Sequence, residues 1–264
     1  MKRSMMKKLI KSIAVTSLLG VFLVGCGSTT KKADDSAKGE SGKYIIACDA
    51  KFAPFSFEEN GTYKGIDVEL LDAISKEEGF KYELKPMDFN GIIPGLTSNQ
   101  LDGAIAGISI TDERKEVLDF SNEYFDSGLS IFVSTNNTTI NGEKDLQGKT
   151  VAVKKGTAGE KYALDNAEKL GLDVKHFEDS PSMCLAVQNG NTDFALEDYP
   201  VIAYKIKLDN PKVLKLAGDK VTTVNYGFAV AKGKNKELLD KFNEGLKKIK
   251  ENGEYDKIVN QYVG

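Results

Sequence analysis

The chain has 264 residues, 41% of them hydrophobic, with 36 basic against 39 acidic side chains and a formal net charge of −3. Five of the basic residues, Lys2, Arg3, Lys7, Lys8 and Lys11, lie within residues 1–25, which hold no acid, so the other 239 residues carry 31 basic against 39 acidic groups, a net charge of −8. That balance argues against nucleic acid as a partner and against a basic patch for membrane lipid. The single histidine, His176, stands outside any cluster of candidate ligands, so no metal or other cofactor is expected. No Cys–His pair or Ser–His–Asp set suggests nucleophilic catalysis.

In chain order, a basic head is followed by an apolar run over residues 13–24, too short and too early for a spanning helix. Together they predict a secretory signal over 1–25. The run ends Leu23-Val24-Gly25-Cys26-Gly27, which resembles the lipobox of bacterial lipoproteins. The resemblance implies cleavage before Cys26 and acylation of that residue, palmitate included, which would anchor the chain to the outer face of the cell membrane. Residues 26–42 are rich in Thr, Lys, Asp, Ser and Gly and read as a flexible tether.

From Tyr44 onward, strands alternate with helices. Residues 44–48 form a short apolar run, and 66–75 place Ile66, Leu70, Ala73 and Ile74 at helical spacing. Strands are predicted over 81–87, 101–108, 130–134 and 150–153. A helix over 157–170 opens on a capping box, Thr157-Ala158-Gly159-Glu160. After a strand at 174–177, Ser180 reads as the cap of a helix with Pro181 at its first position and Gly190 at its end. Strands at 193–196 and 225–230 follow. Leu239, Phe242, Leu246 and Ile249 mark a long helix stopping at Gly253, and Tyr255, Ile258, Val259 and Tyr262 a last short one. The alternation predicts an α/β fold with largely parallel sheets. Cys48, in a strand, and Cys184, in a helix far along the chain, read as buried small hydrophobes in preference to a bridge. The extended stretches 125–128 and 222–225 suggest a division of the chain into two domains.

Ligands of open α/β sheets sit beyond the carboxyl ends of strands, and the polar residues of this chain collect there. Residues 107–114, Gly-Ile-Ser-Ile-Thr-Asp-Glu-Arg, leave a predicted strand and enter a charged segment. The Gly107 carbonyl and Ser109 hydroxyl can accept from an ammonium, and Arg114 can grip a carboxylate with two parallel bonds. Other strand ends give Asp49-Ala50-Lys51-Phe52, Met87-Asp88-Phe89-Asn90-Gly91, Lys154-Lys155-Gly156-Thr157-Ala158 and Glu197-Asp198-Tyr199-Pro200.

With these residues in order, and with residues 82–94 (Tyr-Glu-Leu-Lys-Pro-Met-Asp-Phe-Asn-Gly-Ile-Ile-Pro) and 110–115 (Ile-Thr-Asp-Glu-Arg-Lys), the chain from about 43 to 264 resembles the polar amino-acid-binding proteins of bacterial ATP-binding-cassette importers, the glutamine-binding branch most of all. The resemblance implies a two-lobed periplasmic-binding-protein fold of type II, two α/β domains joined by two hinge strands. Lobe 1 would take residues 43–125 and 226–264, and lobe 2 residues 126–225. It implies a monomer that serves a membrane permease and is not an enzyme. It also implies roles for single residues. Arg114 would pair with the ligand carboxylate, helped by the helix start at Thr157 and Ala158. The Gly107 carbonyl, Ser109 and Asp198 would meet the ammonium. Phe52 and Phe89 would sandwich the aliphatic part, and Asp49 and Lys154 would bond its polar end.

One carboxylate beside one ammonium matches the donor and acceptor of a terminal amide, so glutamine is the expected ligand. Glu197 stands where that branch can carry a histidine; a second acid there would favour a cationic ligand such as arginine, while Lys154 would suit glutamate. Ser109 replaces a frequent threonine and keeps the hydroxyl. A dehydratase-like enzyme on the same fold is the other alternative, with Glu197 as its general acid.

Overall fold

The computed structural model describes residues 42–263. The expected signal, the lipidation site Cys26 and nearly all of the tether lie outside the described residues. Two five-stranded sheets form the frame, each belonging to its own lobe. In the first, strands run in the order Tyr82–Met87, Tyr44–Asp49, Gly103–Ala104, Ala229–Ala231, Leu118–Phe120. In the second the order is Asp173–Phe177, Thr150–Lys154, Phe194–Asp198, Leu129–Ser134, Leu214–Leu216. Between them the chain crosses twice, as Phe125–Ser127 and Val224–Tyr226, and these two strands pair antiparallel.

Both sheets are covered on both faces, and the strand sequences say why. Side chains alternate across a strand, and apolar residues occupy both parities. Val151 and Val153 join a core with Ala163, Phe194 and Leu196, while Ala152 between them joins Phe132, Met183, Ala195 and Ile202 on the opposite face. In the first lobe Ile46 packs with Leu70, Ile74, Phe228, Phe242 and Leu246, and its neighbour Ala47 packs with Ile92, Leu96 and Ala104. Helix Ile66–Glu78 lies on helix Lys236–Glu251, where Gly245 permits close approach: a Cβ there would stand 2.8 Å from Ile74 Cγ2. Each fully buried Leu, Ile or Phe of this interface contributes about 1.5–3 kcal/mol. Cys48 and Cys184 are both buried free thiols, as expected. Desolvation pushes the Cys184 thiol up to about 12.

Several expectations are corrected. The sheets are mixed: in each, two pairings are parallel and two antiparallel. The strand that enters a sheet after each crossing, Leu129–Ser134 or Ala229–Ala231, starts at the lobe junction where its neighbours end, so it must run against them. The single strand expected over 101–108 is only Gly103–Ala104, because the ladder stops at the bond from Ile105 N to Ala47 O (2.9 Å) and Gly107 then turns at φ 55°. The run at 225–230 divides around Gly227. The helix at Ser180–Gln188 is capped by Asp179, which accepts from Ser182 N at 2.8 Å, and Ser180 is its first residue. A three-stranded meander over Lys51–Phe52, Ser56–Glu59 and Thr62–Lys64, and helices Ile92–Thr97 and Tyr199–Leu208, went unread in the sequence.

Candidate functional site

Strand ends from the two lobes meet around a small, nearly filled cavity, lined among the described residues by Phe52, Phe89, Gly107, Ser109, Arg114, Lys154, Thr157, Ala158 and Asp198. All nine belong to the set picked out in the sequence. The two remaining members, Asp49 and Glu197, are buried behind this lining.

The lining holds a buried cation. Lys154 closes strand Thr150–Lys154 and its ammonium bonds the Asp49 carboxylate, both groups being buried. The same ammonium stands 4.8 Å from the ring centre of Phe52 and 5.6 Å from that of Phe89. Each aromatic face attracts a cation, so the pair of rings holds Lys154 at the cavity wall. Asp49 is held in turn: Oδ1 accepts from Lys51 N (3.0 Å), and its carbonyl accepts from Ser56 Oγ (2.6 Å). Lys155 points away, to Glu178.

A second cation of the lining stands beside a helix start. Arg114 rides on the single turn Asp112–Lys115, capped by Thr111, whose hydroxyl accepts from Arg114 N at 3.2 Å. Its guanidinium donates to Ser109 O and to Gly156 O, both at 3.0 Å, the second across the lobe junction, and lies 5.5 Å from the Phe89 ring centre. Two bonds leave the other N–H groups of the fork for an anion. Burial lowers the Arg114 guanidinium from its ordinary value, with Asp198 and Glu113 opposing; it stays charged. Facing it, Thr157 caps helix Ala158–Leu170: its hydroxyl donates to Lys154 O (2.6 Å) and accepts from Glu160 N (3.3 Å). The first N–H groups of a helix have no partner in the helix and favour an anion. Glu160 completes the capping box one residue early, accepting from Gly156 N (2.7 Å).

The third feature is acidic. Asp198 stands at the start of helix Tyr199–Leu208 without capping it. Its carboxylate accepts instead from Tyr226 OH (2.6 Å), which itself accepts from Ser127 Oγ (3.0 Å). Burial raises the Asp198 carboxyl above its ordinary value, while Tyr226, Arg114 and Lys154 pull it down. Glu197 points to the opposite side of its strand. One of its oxygens accepts from the Asp198 N–H (3.0 Å), and the other, buried, has no hydrogen-bond partner among the described residues. Desolvation pushes its carboxyl up to about 7 against the pull of Lys154.

Across the junction, Lys51 bonds Asp179 (2.7 Å), Asn90 Nδ2 donates to Glu178 (3.0 Å) and Lys161 lies 3.5 Å from Glu113. Gly156 comes so near the first lobe that a Cβ on it would stand 3.3 Å from Asn90 Cα. Sequence reasoning missed Tyr226 as a partner of Asp198, and it missed Asp67 and Tyr124 beneath Gly107. The one available signal for Asp67 was its place on the apolar face of its helix with Leu71 and Ile74; a first-turn acid is otherwise explained by the helix dipole.

The profile of the bacterial extracellular solute-binding proteins, family 3, matches residues 44–264. The chain belongs to this family. The arginine-binding extracellular protein ArtP of Bacillus subtilis is 31% identical over 251 residues, 95% of this chain and 96% of ArtP. An ancestral arginine-binding protein bound to arginine is 39% identical, with a TM-score of 0.80 over 84% of this chain and 99% of that one; bound to glutamine it gives 0.78. The second substrate-binding domain of Lactococcus lactis GlnP in an open conformation, also 39% identical and covering 85% of this chain and 97% of its own, gives 0.59. Equal identity with a lower score is what two similar lobes set at a different angle produce. This solute-binding protein therefore has the type II two-lobed fold, here with its lobes drawn together. Among the described residues no helix is long and apolar enough to cross a membrane, and no group of three or more His, Cys, Asp or Glu is placed to hold a metal ion.

Proposed function

We propose that this family 3 protein is the amino-acid receptor of an ATP-binding-cassette importer and that it takes a zwitterionic L-amino acid with a neutral polar side chain, glutamine first. Arg114 and the helix start at Ala158 receive the carboxylate, and the Gly107 carbonyl, Ser109 and Asp198 receive the ammonium. Phe52 and Phe89 flank the methylenes. Residues 43–125 and 226–264 form one lobe, residues 126–225 the other, and acylation of Cys26 holds the monomer at the outer face of the membrane beside its permease.

The observation that carries the side-chain assignment is the buried Lys154–Asp49 pair, with Lys154 on the cavity lining and Asp49 behind it. It offers one donor and one acceptor, the complement of a terminal amide. A guanidinium entering there would meet the Lys154 ammonium. Glu197, the residue that would favour a cation, stands behind the lining as Asp49 does, but it accepts from the Asp198 N–H, whereas Asp49 is bonded to Lys154 on the lining. The same placement weakens the dehydratase alternative, since a general acid must reach the substrate.

Arginine is the second reading. It is favoured by the ligand named for ArtP and by the ancestral protein that holds arginine as well as glutamine. Calorimetric titration of unfolded and refolded, ligand-free protein with glutamine, asparagine, arginine, lysine, histidine and glutamate decides between them. Glutamine is expected to bind tightest. Tight arginine binding without glutamine binding overturns the amide assignment.

A further inference from the structure

We infer that Asp67, which lies outside the cavity, is a positioning residue that aims the Gly107 carbonyl at the ligand ammonium and ties it to the crossing between the lobes. The inference rests on the amino-acid reading of the site given above.

Gly107 is a corner that only glycine fits. Its φ of 55° is one that L side chains rarely adopt, and a Cβ there would stand 2.4 Å from Phe52 Cε1. The sheet cannot fix this corner, because the ladder bond of Ile105 to Ala47 is behind it and the bond from Gly227 N to Ile108 O (3.1 Å) is ahead. Between these two points the Gly107 N–H is held by side chains alone. It points at Asp67 Oδ2 (2.9 Å) and at Tyr124 OH (3.1 Å), and Tyr124 OH donates to Asp67 Oδ1 (2.8 Å). Asp67 is 0% exposed and Tyr124 1%. The pinned N–H fixes the peptide plane before Gly107, and the Gly227 bond to Ile108 O fixes the plane after Ile108, so the plane that carries the Gly107 carbonyl is held between them.

Position within the helix supports a role of this kind. An acid in a first turn can stabilise the dipole from the water-facing side. Asp67 is instead inside, where desolvating a charge costs several kcal/mol, and both of its oxygens are spent on this triangle. Tyr124 carries the connection onward: its N–H donates to Tyr226 O (2.9 Å) and its carbonyl accepts from Tyr255 OH (2.6 Å), beside the strand Phe125–Ser127 that crosses to the second lobe. The same Tyr226 holds Asp198 through its hydroxyl. Two of the three acceptors assigned to the ammonium, the Gly107 carbonyl and Asp198, thus share one buried frame, although they come from different lobes.

The test compares Asp67→Asn and Tyr124→Phe with the unaltered protein, titrating each with the tightest amino acid of the panel and with its desamino analogue. Asp67→Asn is expected to weaken the amino acid by about 10- to 100-fold, the loss of hydrogen bonding to a charged group, and to leave the desamino analogue within about twofold. Tyr124→Phe, which keeps the carboxylate, is expected to give a smaller loss, again only for the ligand that carries the ammonium. Equal losses for both ligands would show that Asp67 merely supports the lobe, and no loss for the amino acid would dismiss it altogether. If the unaltered protein binds the two ligands alike, the ammonium grip itself fails, and the inference falls with the reading beneath it.

Discussion

Lys154 lines the cavity and is the residue proposed to meet the end of the ligand side chain, and its partners define what can replace or join it. The ammonium is bonded to a buried carboxylate and lies over two aromatic faces. Removing one member of a buried ion pair leaves the other uncompensated, a loss of about 3–5 kcal/mol that a new cation can recover. Lys154→Ala is therefore expected to weaken glutamine at least ~10-fold and to raise arginine relative to it, by Asp49 accepting the guanidinium. Arg114→Ala should weaken every α-amino acid by a similar factor without reordering them. Calorimetry with both amino acids reads out each variant; a reordering by Arg114→Ala, or none by Lys154→Ala, would reverse these roles. Most of the cavity lining was legible because strand ends converge in an open α/β sheet. The places of Asp49 and Glu197 were not, since which face of a strand end looks into the cavity depends on register. Asp67 was hidden because its partners, Gly107 and Tyr124, are distant in sequence and meet it only through tertiary packing.

At the scale of elements, the helix that begins at Ala158 joins the cavity to the second sheet. Thr157 both caps it and bonds back to Lys154 O. Loss of a threonine cap costs about 1 kcal/mol, so Thr157→Ala should lower the Tm by about 2–4 °C for a chain of this size and weaken the ligand as well. A thermal melt with and without ligand checks both; an unchanged melt would place the start of the helix under other control. The capping box was readable from four residues, as was the long terminal helix from its spacing. The two-residue strand Gly103–Ala104 was not, because the apolar run continues to Ile108 while the backbone leaves the sheet at Gly107. Burial of residues 104–106 and 108 maintains the sequence pattern of a strand where there is no ladder. The cap at Asp179 was displaced by one residue because Asp179 and Ser180 can both cap, and only tertiary placement chooses.

At the scale of the whole molecule, buried acids set the response to pH. Desolvation pushes Asp67 up to about 7 against the bonds from Tyr124 and Gly107, and pushes Glu197 to about 7 as well. In the unfolded chain both lose their protons near pH 4. Between about pH 4 and 7 the folded state thus binds more protons, and stability falls as pH rises through that window. Asp119 and Asp179, held below the ordinary value by Lys232 and Lys51 against the desolvation that burial imposes, act in the opposite sense but only below about pH 4. The ligand-free protein should therefore melt higher at pH 5.5 than at pH 8, by on the order of 1–2 kcal/mol from each of the two acids. A scan that showed the reverse would mean that both are ionised in the fold. The α/β alternation and the two crossings were readable from strand spacing and from the extended stretches near 125 and 222, but the antiparallel half of each sheet was not, because it follows from the path of the chain between lobes. That path also orders the making of the protein. The second sheet uses only residues 129–216, whereas the first takes four strands from the early chain and waits for Ala229–Ala231, and its helix Ile66–Glu78 waits for Lys236–Glu251. A chain emerging from the ribosome can finish its middle before its beginning. Until Ile249 has been synthesised, Ile66, Leu70 and Ile74 lack the cover of that last long helix.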